Sequence, residues 1–335
     1  MICKLRILAQ WTAWYPPDWK AAKEVFQLPQ GYDSVDMCHL CEAQDCETEL
    51  SYVNCARDAP WATRRRTHEA YMRHLATLSN PCPLTQITGF HLTQIVFDGM
   101  HVDLLGLRLH ALGSTFVHLC RENELVEAPA AGSWKDKFNS QLAGLSVRFK
   151  QFLRENKLHC TQRKFTTNKL RYYTLQSWPE MKIKAKNAAI VTKFLLDAHQ
   201  QLEAPTELQR FRILLLWALD ELYRLFASKC RWFSQEQLEH LEVVRETLLN
   251  VYNHLSSLSK EAGDSCWAMK PKFHAIDELC RWAEASHLNP GAVWAFSAED
   301  LCGRIGKVAA NAHPSSMSLR TSERWIVSFF SEARS

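Results

Sequence analysis

Thr206-Glu207-Leu208-Gln209-Arg210-Phe211-Arg212-Ile213-Leu214-Leu215-Leu216-Trp217-Ala218-Leu219-Asp220-Glu221-Leu222-Tyr223-Arg224-Leu225-Phe226 decides the fold class. Thr206 followed three residues later by Gln209 is a capping box, in which each side chain satisfies a backbone N–H that the first helical turn leaves open. Phe211, Leu215, Leu222 and Leu225 then recur at helical spacing and form an inward stripe. The same grammar repeats on both sides. Ile190 to Leu202 is one helix. Ser234-Gln235-Glu236-Gln237 opens another, with Leu238, Leu241, Leu248, Val251, Leu255 and Leu258 on its stripe. Residues 186–262 therefore predict an antiparallel helical bundle without a functional pocket of its own.

Outward from this centre the pattern changes. Leu105, Leu109, Leu112, Phe116 and Leu119 predict a helix from Asp98 to about residue 120, ended by Pro129 and its small neighbours. Before Asp98 the chain is punctuated by Pro16, Pro17, Pro29, Gly31, Pro60, Pro81, Pro83 and Gly89, with short candidate strands at Leu5 to Trp14 and His91 to Phe97. After Lys270-Pro271 the periodicity loosens. Helices are predicted again from Ser297 and over Thr321 to Ala333.

Composition excludes several classes. Of 335 residues, 47% are hydrophobic and 23% charged, so the chain can bury a core and wholesale disorder is not expected. No apolar run approaches the ~20 residues that span a bilayer, and Met1 to Gln10 has no export-signal pattern. A chain that is neither secreted nor membrane-bound is expected to keep its 12 scattered cysteines reduced, in the cytoplasm or nucleus. The net charge of +4 is compatible with nucleic acid without requiring it. Phosphate-binding loops, GxGxxG, nucleophile elbows and HExxH are all missing, which removes the common nucleotide, hydrolase and zinc-protease readings.

Four groups of residues could carry chemistry. Cys38-His39-Leu40-Cys41 places two thiols on one turn, half of a structural zinc site. Cys46, Cys55, His68 and His74 can complete it, and His68 is taken as the third ligand. Asp98 and His101 share a face with Leu105 and Leu112, which suits a metal site, while Asp98 also suits a helix cap. Glu299 in a first helical turn and Asp18 after Pro16-Pro17 have structural explanations of their own. Arg163, Lys164, Lys169, Arg171, Lys182 and Lys184, interleaved with Tyr172, Tyr173 and Trp178, form a candidate phosphate-contacting surface, although solvated charge explains such clusters as well.

In order, these blocks resemble the catalytic region of CACTA (En/Spm-like) transposases. Phe97-Asp98-Gly99-Met100-His101-Val102 is similar to that family's aspartate–methionine–histidine block. Asp18, Gly31-Tyr32 and Cys38-His39-Leu40-Cys41 are similar to its acidic and CPxC segments, and Thr67-His68-Glu69-Ala70-Tyr71 to its histidine-bearing basic stretch. Lys270-Pro271-Lys272-Phe273-His274-Ala275 and Trp294 to Asp300 resemble its closing blocks more loosely. The chain looks closer still to transposon-derived reading frames of dinoflagellate-type genomes, which share the Pro17-Asp18-Trp19-Lys20, CHLC, Met-His and KPKFHA elements.

The resemblance implies a DDE-type, nuclear DNA-cutting and DNA-joining enzyme, mainly α. It implies a partial ribonuclease-H-like α/β core in residues 1–131, a large all-helical insertion in 132–290, and C-terminal helices in 291–335 that complete the core. Asp18, Asp98 and Glu299 would hold magnesium with His101 beside them, and DNA would be the partner, while zinc at Cys38, Cys41 and His68 is expected from the cysteine spacing. In the family the first carboxylate comes from an earlier strand. This chain is expected to begin after it, so weak or no strand transfer is expected. The alternative is a zinc-stapled helical module that binds DNA or protein without catalysis.

Overall fold

The computed structural model describes residues 18–310, 313, 316–317 and 319–324. It divides into two compact units, one through Val293 and one from Trp294 onward. In the first, α1 (Trp19–Val25), α2 (Pro60–Thr63) and α3 (His68–Leu75) punctuate an irregular N-terminal region. A π-helical segment, Met100–Leu107, runs into α4 (Arg108–Arg121). Then follow α5 (Trp134–Glu155), α6 (Ala185–Gln200), α7 (Glu207–Phe226), α8 (Gln235–Glu261) and α9 (Lys272–Ser286). In the second unit α10 spans Phe296–Ala309.

The capping boxes act as the sequence predicts. Thr206 and Ser234 accept hydrogen bonds from the backbone N–H of Gln209 and Gln237, and both glutamines reach back to the cap residue's own N–H. Ser133 and Asp136 do the same for α5. α7 packs along α8 and α6, and Leu215, Leu222, Leu241, Leu248 and Leu255 are completely buried. The bundle does border a cavity, of about 370 Å³, between the start of α7 and the end of α8.

The described residues do not support the expected ribonuclease-H-like α/β core. Among the described residues there is no sheet. Extended pairing is confined to isolated bridges such as Cys41 with Arg65 and Gln44 with Ser51. His91 to Phe97, a candidate strand, instead folds a 3-10 turn at Leu92–Gln94, because the His91 side chain accepts from Thr93 N–H and Gln94 reaches back to the His91 N–H. The other candidate strand, Leu5 to Trp14, lies outside the described residues. A small apolar cluster of Phe26, Leu28, Tyr71, Leu75, Leu92 and Ile95 replaces a sheet as the local core, with Tyr71 donating to the Phe26 carbonyl at 2.6 Å.

The predicted 98–120 helix is interrupted. Gly106 adopts φ −127°, ψ −112°, and a Cβ there would stand 2.7 Å from Lys272 Cδ and 2.9 Å from the His101 carbonyl oxygen. Lys272 lies over this gap and donates to the Leu105 carbonyl at 3.0 Å, satisfying an acceptor in the irregular turn. Just beyond, Arg108 is fully buried. It grips Asp103 with two bonds, 3.0 and 2.7 Å, and donates to Thr192 Oγ1 on α6 and the Leu219 carbonyl on α7.

α9 is buried on every side from Phe273 to Cys280, so polar residues there are as enclosed as the apolar ones. Phe273, Ile276 and Leu279 alternate with equally buried His274, Asp277 and Glu278. No helix among the described residues is long and apolar enough to cross a membrane.

The bundle yields a paired prediction. Leu215 is fully buried and its neighbour Leu214 is 42% exposed. A charge placed in the core without a partner costs several kcal/mol. Leu215→Asp is therefore expected to abolish the cooperative urea transition seen by circular dichroism, whereas Leu214→Asp should move the midpoint by no more than about 0.5 kcal/mol equivalent.

Candidate metal centre

The Cys38–Cys41 turn is locked by its own backbone. Leu40 N–H points at Cys38 Sγ (3.3 Å) and Ala43 N–H at Cys41 Sγ (3.5 Å), so each sulfur meets an amide donor that favours its thiolate form. Arg66 Nε donates to the carbonyls of both Cys38 and Cys41, at 3.0 and 2.9 Å, holding the ends of the turn together. The intervening His39 turns away and is hydrogen-bonded through Nε2 to the Ile95 carbonyl.

α9 supplies the opposing half. His274 and Glu278 stand one turn apart on the same helical face. Cys41 Sγ lies 3.3 Å from His274 Nε2, and His274 Nε2 lies 3.8 Å from Glu278 Oε1. Ligand atoms of Cys38, Cys41, His274 and Glu278 all fall within 4.8 Å of one another, and all four residues are buried. In a tetrahedral zinc site with bonds of 2.0–2.3 Å, donor atoms stand about 3.3–3.8 Å apart. The cluster is thus near the right size before any adjustment.

Charge favours the same reading. Arg65 holds Glu278 through two bonds, at 2.6 and 2.8 Å. Burial would raise the Cys38 thiol, but its hydrogen bond with Cys41 and the His274 charge outweigh that and bring it well below the usual thiol range. Burial pushes the Cys41 thiol up. His274 is raised, burial being overcome by the neighbouring Cys38 thiolate. Glu278 is lowered, its burial penalty overcome by the Arg65 hydrogen bonds and the His274 charge. Two thiolates, one carboxylate, one guanidinium and a divalent cation sum to zero. A zinc ion would remove the unshared buried charge without leaving another, which is the condition for burying such a set at low cost. The Trp61 ring packs edge-on to His274 at 4.5 Å, limiting the imidazole's rotation.

His68, taken from the sequence as third ligand, is elsewhere. Its Nδ1 accepts from Leu92 N–H at 3.2 Å, and its ring stacks on His91. Cys46 sits beside Gln44 and Thr48, and Cys55 points to Asn250. The groups that join the two cysteines come instead from a helix more than 230 positions away. Only the His-x-x-x-Glu spacing of Lys272-Phe273-His274-Ala275-Ile276-Asp277-Glu278 could have signalled them.

Of the acidic candidates, Asp18 and Asp98 both act on the Lys272 ammonium. Asp98 is buried and accepts from His101 twice, from its backbone N–H at 3.0 Å, as a capping carboxylate does, and from its ring Nδ1 at 2.6 Å. Asp18 precedes α1 and borders a cavity of about 360 Å³ shared with His110, Glu180, Lys270 and Lys272. Burial lowers the Lys272 ammonium, with Asp18, Glu180 and Asp98 pulling the other way. Glu299 belongs to α10 in the second unit, and its side chain lies outside the described residues.

The basic candidates do come together. Thr161 bonds Asn187, Lys169 and Lys182 meet through their backbones at 2.6 Å, and Glu180 N–H bonds the Leu170 carbonyl. Segments 161–171 and 180–187 therefore run side by side, with Arg163, Lys164, Lys169, Arg171, Lys182 and Lys184 exposed. Arg171 is paired with Glu180 at 2.6 Å. Tyr173 and Trp178 are more than half exposed beside them.

Compared with known proteins, the chain matches no family model, no curated protein and no solved structure.

Cys41→Ser and His274→Gln should each lose the bound metal of the centre, while His68→Gln should keep it. Metal content per chain after gel filtration, by atomic emission, reads this directly. Retention in His274→Gln together with loss in His68→Gln would return the assignment to the sequence-based ligand set.

Proposed function

We propose that the protein is a zinc-stapled helical binding module that contacts DNA through its basic, aromatic surface and carries out no strand chemistry of its own. The observation that supports it most is the convergence of Cys38 and Cys41 with His274 and Glu278, a closed four-donor set typical of structural rather than catalytic zinc. Such an ion would tie the irregular N-terminal region to α9.

The DNA reading rests on side chains that suit single strands. Exposed Tyr173 and Trp178 offer faces for base stacking, and the six exposed cations of the same segments, Arg171 among them paired with Glu180, suit a backbone of phosphates. The transposase-like catalytic alternative draws less support. Asp98 is bonded to the His101 N–H and Nδ1, and the described residues carry no sheet on which a ribonuclease-H-like set of carboxylates would be mounted.

Two measurements test the proposal. Chelation of the purified chain should lower its melting temperature, since structural zinc contributes directly to folding. Fluorescence anisotropy with a labelled single-stranded oligonucleotide should show binding that weakens steeply with salt. Trp178→Ala should cost about 1–3 kcal/mol of it, and Lys182→Gln should flatten the salt slope by about one. Binding insensitive to both substitutions, or magnesium-dependent nicking of plasmid DNA lost in Asp98→Asn, would overturn this reading.

A further inference from the structure

A second group of ligating side chains converges away from the first and shares no residue with it. His118 lies on α4, and Asp264 and Cys266 lie in the loop between α8 and α9. One donor atom of each falls within 4.8 Å of the others, with His118 Nε2 and Asp264 Oδ2 3.8 Å apart.

The loop is held firmly in this position. Asp264 N–H bonds the Ser259 carbonyl at 2.8 Å, Cys266 N–H bonds Ser259 Oγ at 3.1 Å, and Trp267 N–H bonds Ser114 Oγ on α4 at 2.8 Å. The Asp264 carboxylate is oriented by Ser265 N–H at 2.8 Å and by Arg121 at 2.6 Å. Hydrogen bonds of this kind around a carboxylate orient it for a cation and leave lone pairs available.

His118 is the anomaly. Both ring nitrogens are buried and neither is hydrogen-bonded. A neutral imidazole always presents one donor and one acceptor, so leaving both buried and unmet is costly. The ring is packed against Trp267, centroids 5.6 Å apart, and cannot swing freely to solvent. His118, Asp264 and Trp267 also line the cavity of about 370 Å³, whose other walls include Phe211, His254 and Glu207.

We infer that His118, Asp264 and Cys266 form a second metal site, for a zinc-class divalent cation, with one coordination position open to this cavity. One imidazole, one carboxylate and one thiolate make a mixed donor set of the kind zinc accepts. The thiolate and carboxylate offset the charge of the ion, and the Arg121 guanidinium on Asp264 leaves one positive charge that a small anion in the open position would balance. Three protein donors leave the fourth position to water or a small anion entering from the cavity, in contrast to the closed set at Cys38, Cys41, His274 and Glu278.

The test uses the full chain, stripped by chelation and titrated with Co²⁺. The wild type should bind two equivalents. His118→Gln removes a donor without removing any hydrogen bond, so it should fold with an unchanged circular dichroism spectrum and bind one equivalent. Cys266→Ser should bind one as well. In Cys41→Ser, where only the second site remains, added azide should shift the visible cobalt spectrum, and in His118→Gln it should not. Two equivalents retained in His118→Gln, or a single wild-type equivalent that Cys41→Ser abolishes, would overturn the inference. A single equivalent lost in His118→Gln but kept in Cys41→Ser would sustain it and instead overturn the zinc staple.

Discussion

Four ionisable side chains buried within 4.8 Å of one another cannot keep independent charges, and this constraint governs how residues 18–97 are attached. Residues 18–97 contain only short helices and isolated bridges, so little secondary structure holds them to the bundle. Their grip on α9 comes from polar contacts. Cys41 meets His274, Arg65 meets Glu278, and Arg281 reaches the carbonyls of Ala56 and Arg57 while lying over Trp61. Removing one partner from such a set leaves a buried charge uncompensated, which is why these contacts act together.

The helical body repeats the theme with guanidinium groups. Arg108, Arg212 and Arg245 are all buried, each against a carboxylate: Asp103, Glu124 and Asp277. Arg108 is the most fully satisfied, bridging the π-helical segment to α6 and α7. Its position depends on the irregular turn at Leu105 and Gly106, since that turn brings Asp103 and Arg108 within bidentate reach although they are five residues apart. The departure from regular helix there is thus part of the packing between the segment, α6 and α9.

Much of the helical body was legible in the residues. Thr206 and Ser234 announce helix starts because capping is local chemistry between residues three apart. The leucine stripes of α7 and α8 follow from burying one face against neighbours. Legibility failed where burial was not one-sided or not apolar. In α9 the apolar positions Phe273, Ile276, Cys280 and Ala283 are interleaved with His274, Asp277 and Glu278, which are buried as well, so burial there is not marked by apolarity. Asp98 suits a metal or a cap from its sequence position, and its bonds to the His101 N–H and Nδ1 are compatible with either role. The family resemblance carried an expectation of a sheet into a region whose described residues pack as turns around a small apolar cluster.

The sequence by itself determined the things that act within a few residues: the caps, the helical stripes, the tight Cys38–Cys41 turn and the run of cations between Arg163 and Lys184. Only the tertiary structure decided which groups face that turn. His274 and Glu278, rather than the nearer His68, meet the cysteines because α9 is packed against the segment that carries them, and His68 is already committed to Leu92. Donor spacing along a chain limits one half of a metal site. The other half is chosen by whichever helix can bury its polar face there, and that choice depends on long-range packing that no local pattern encodes.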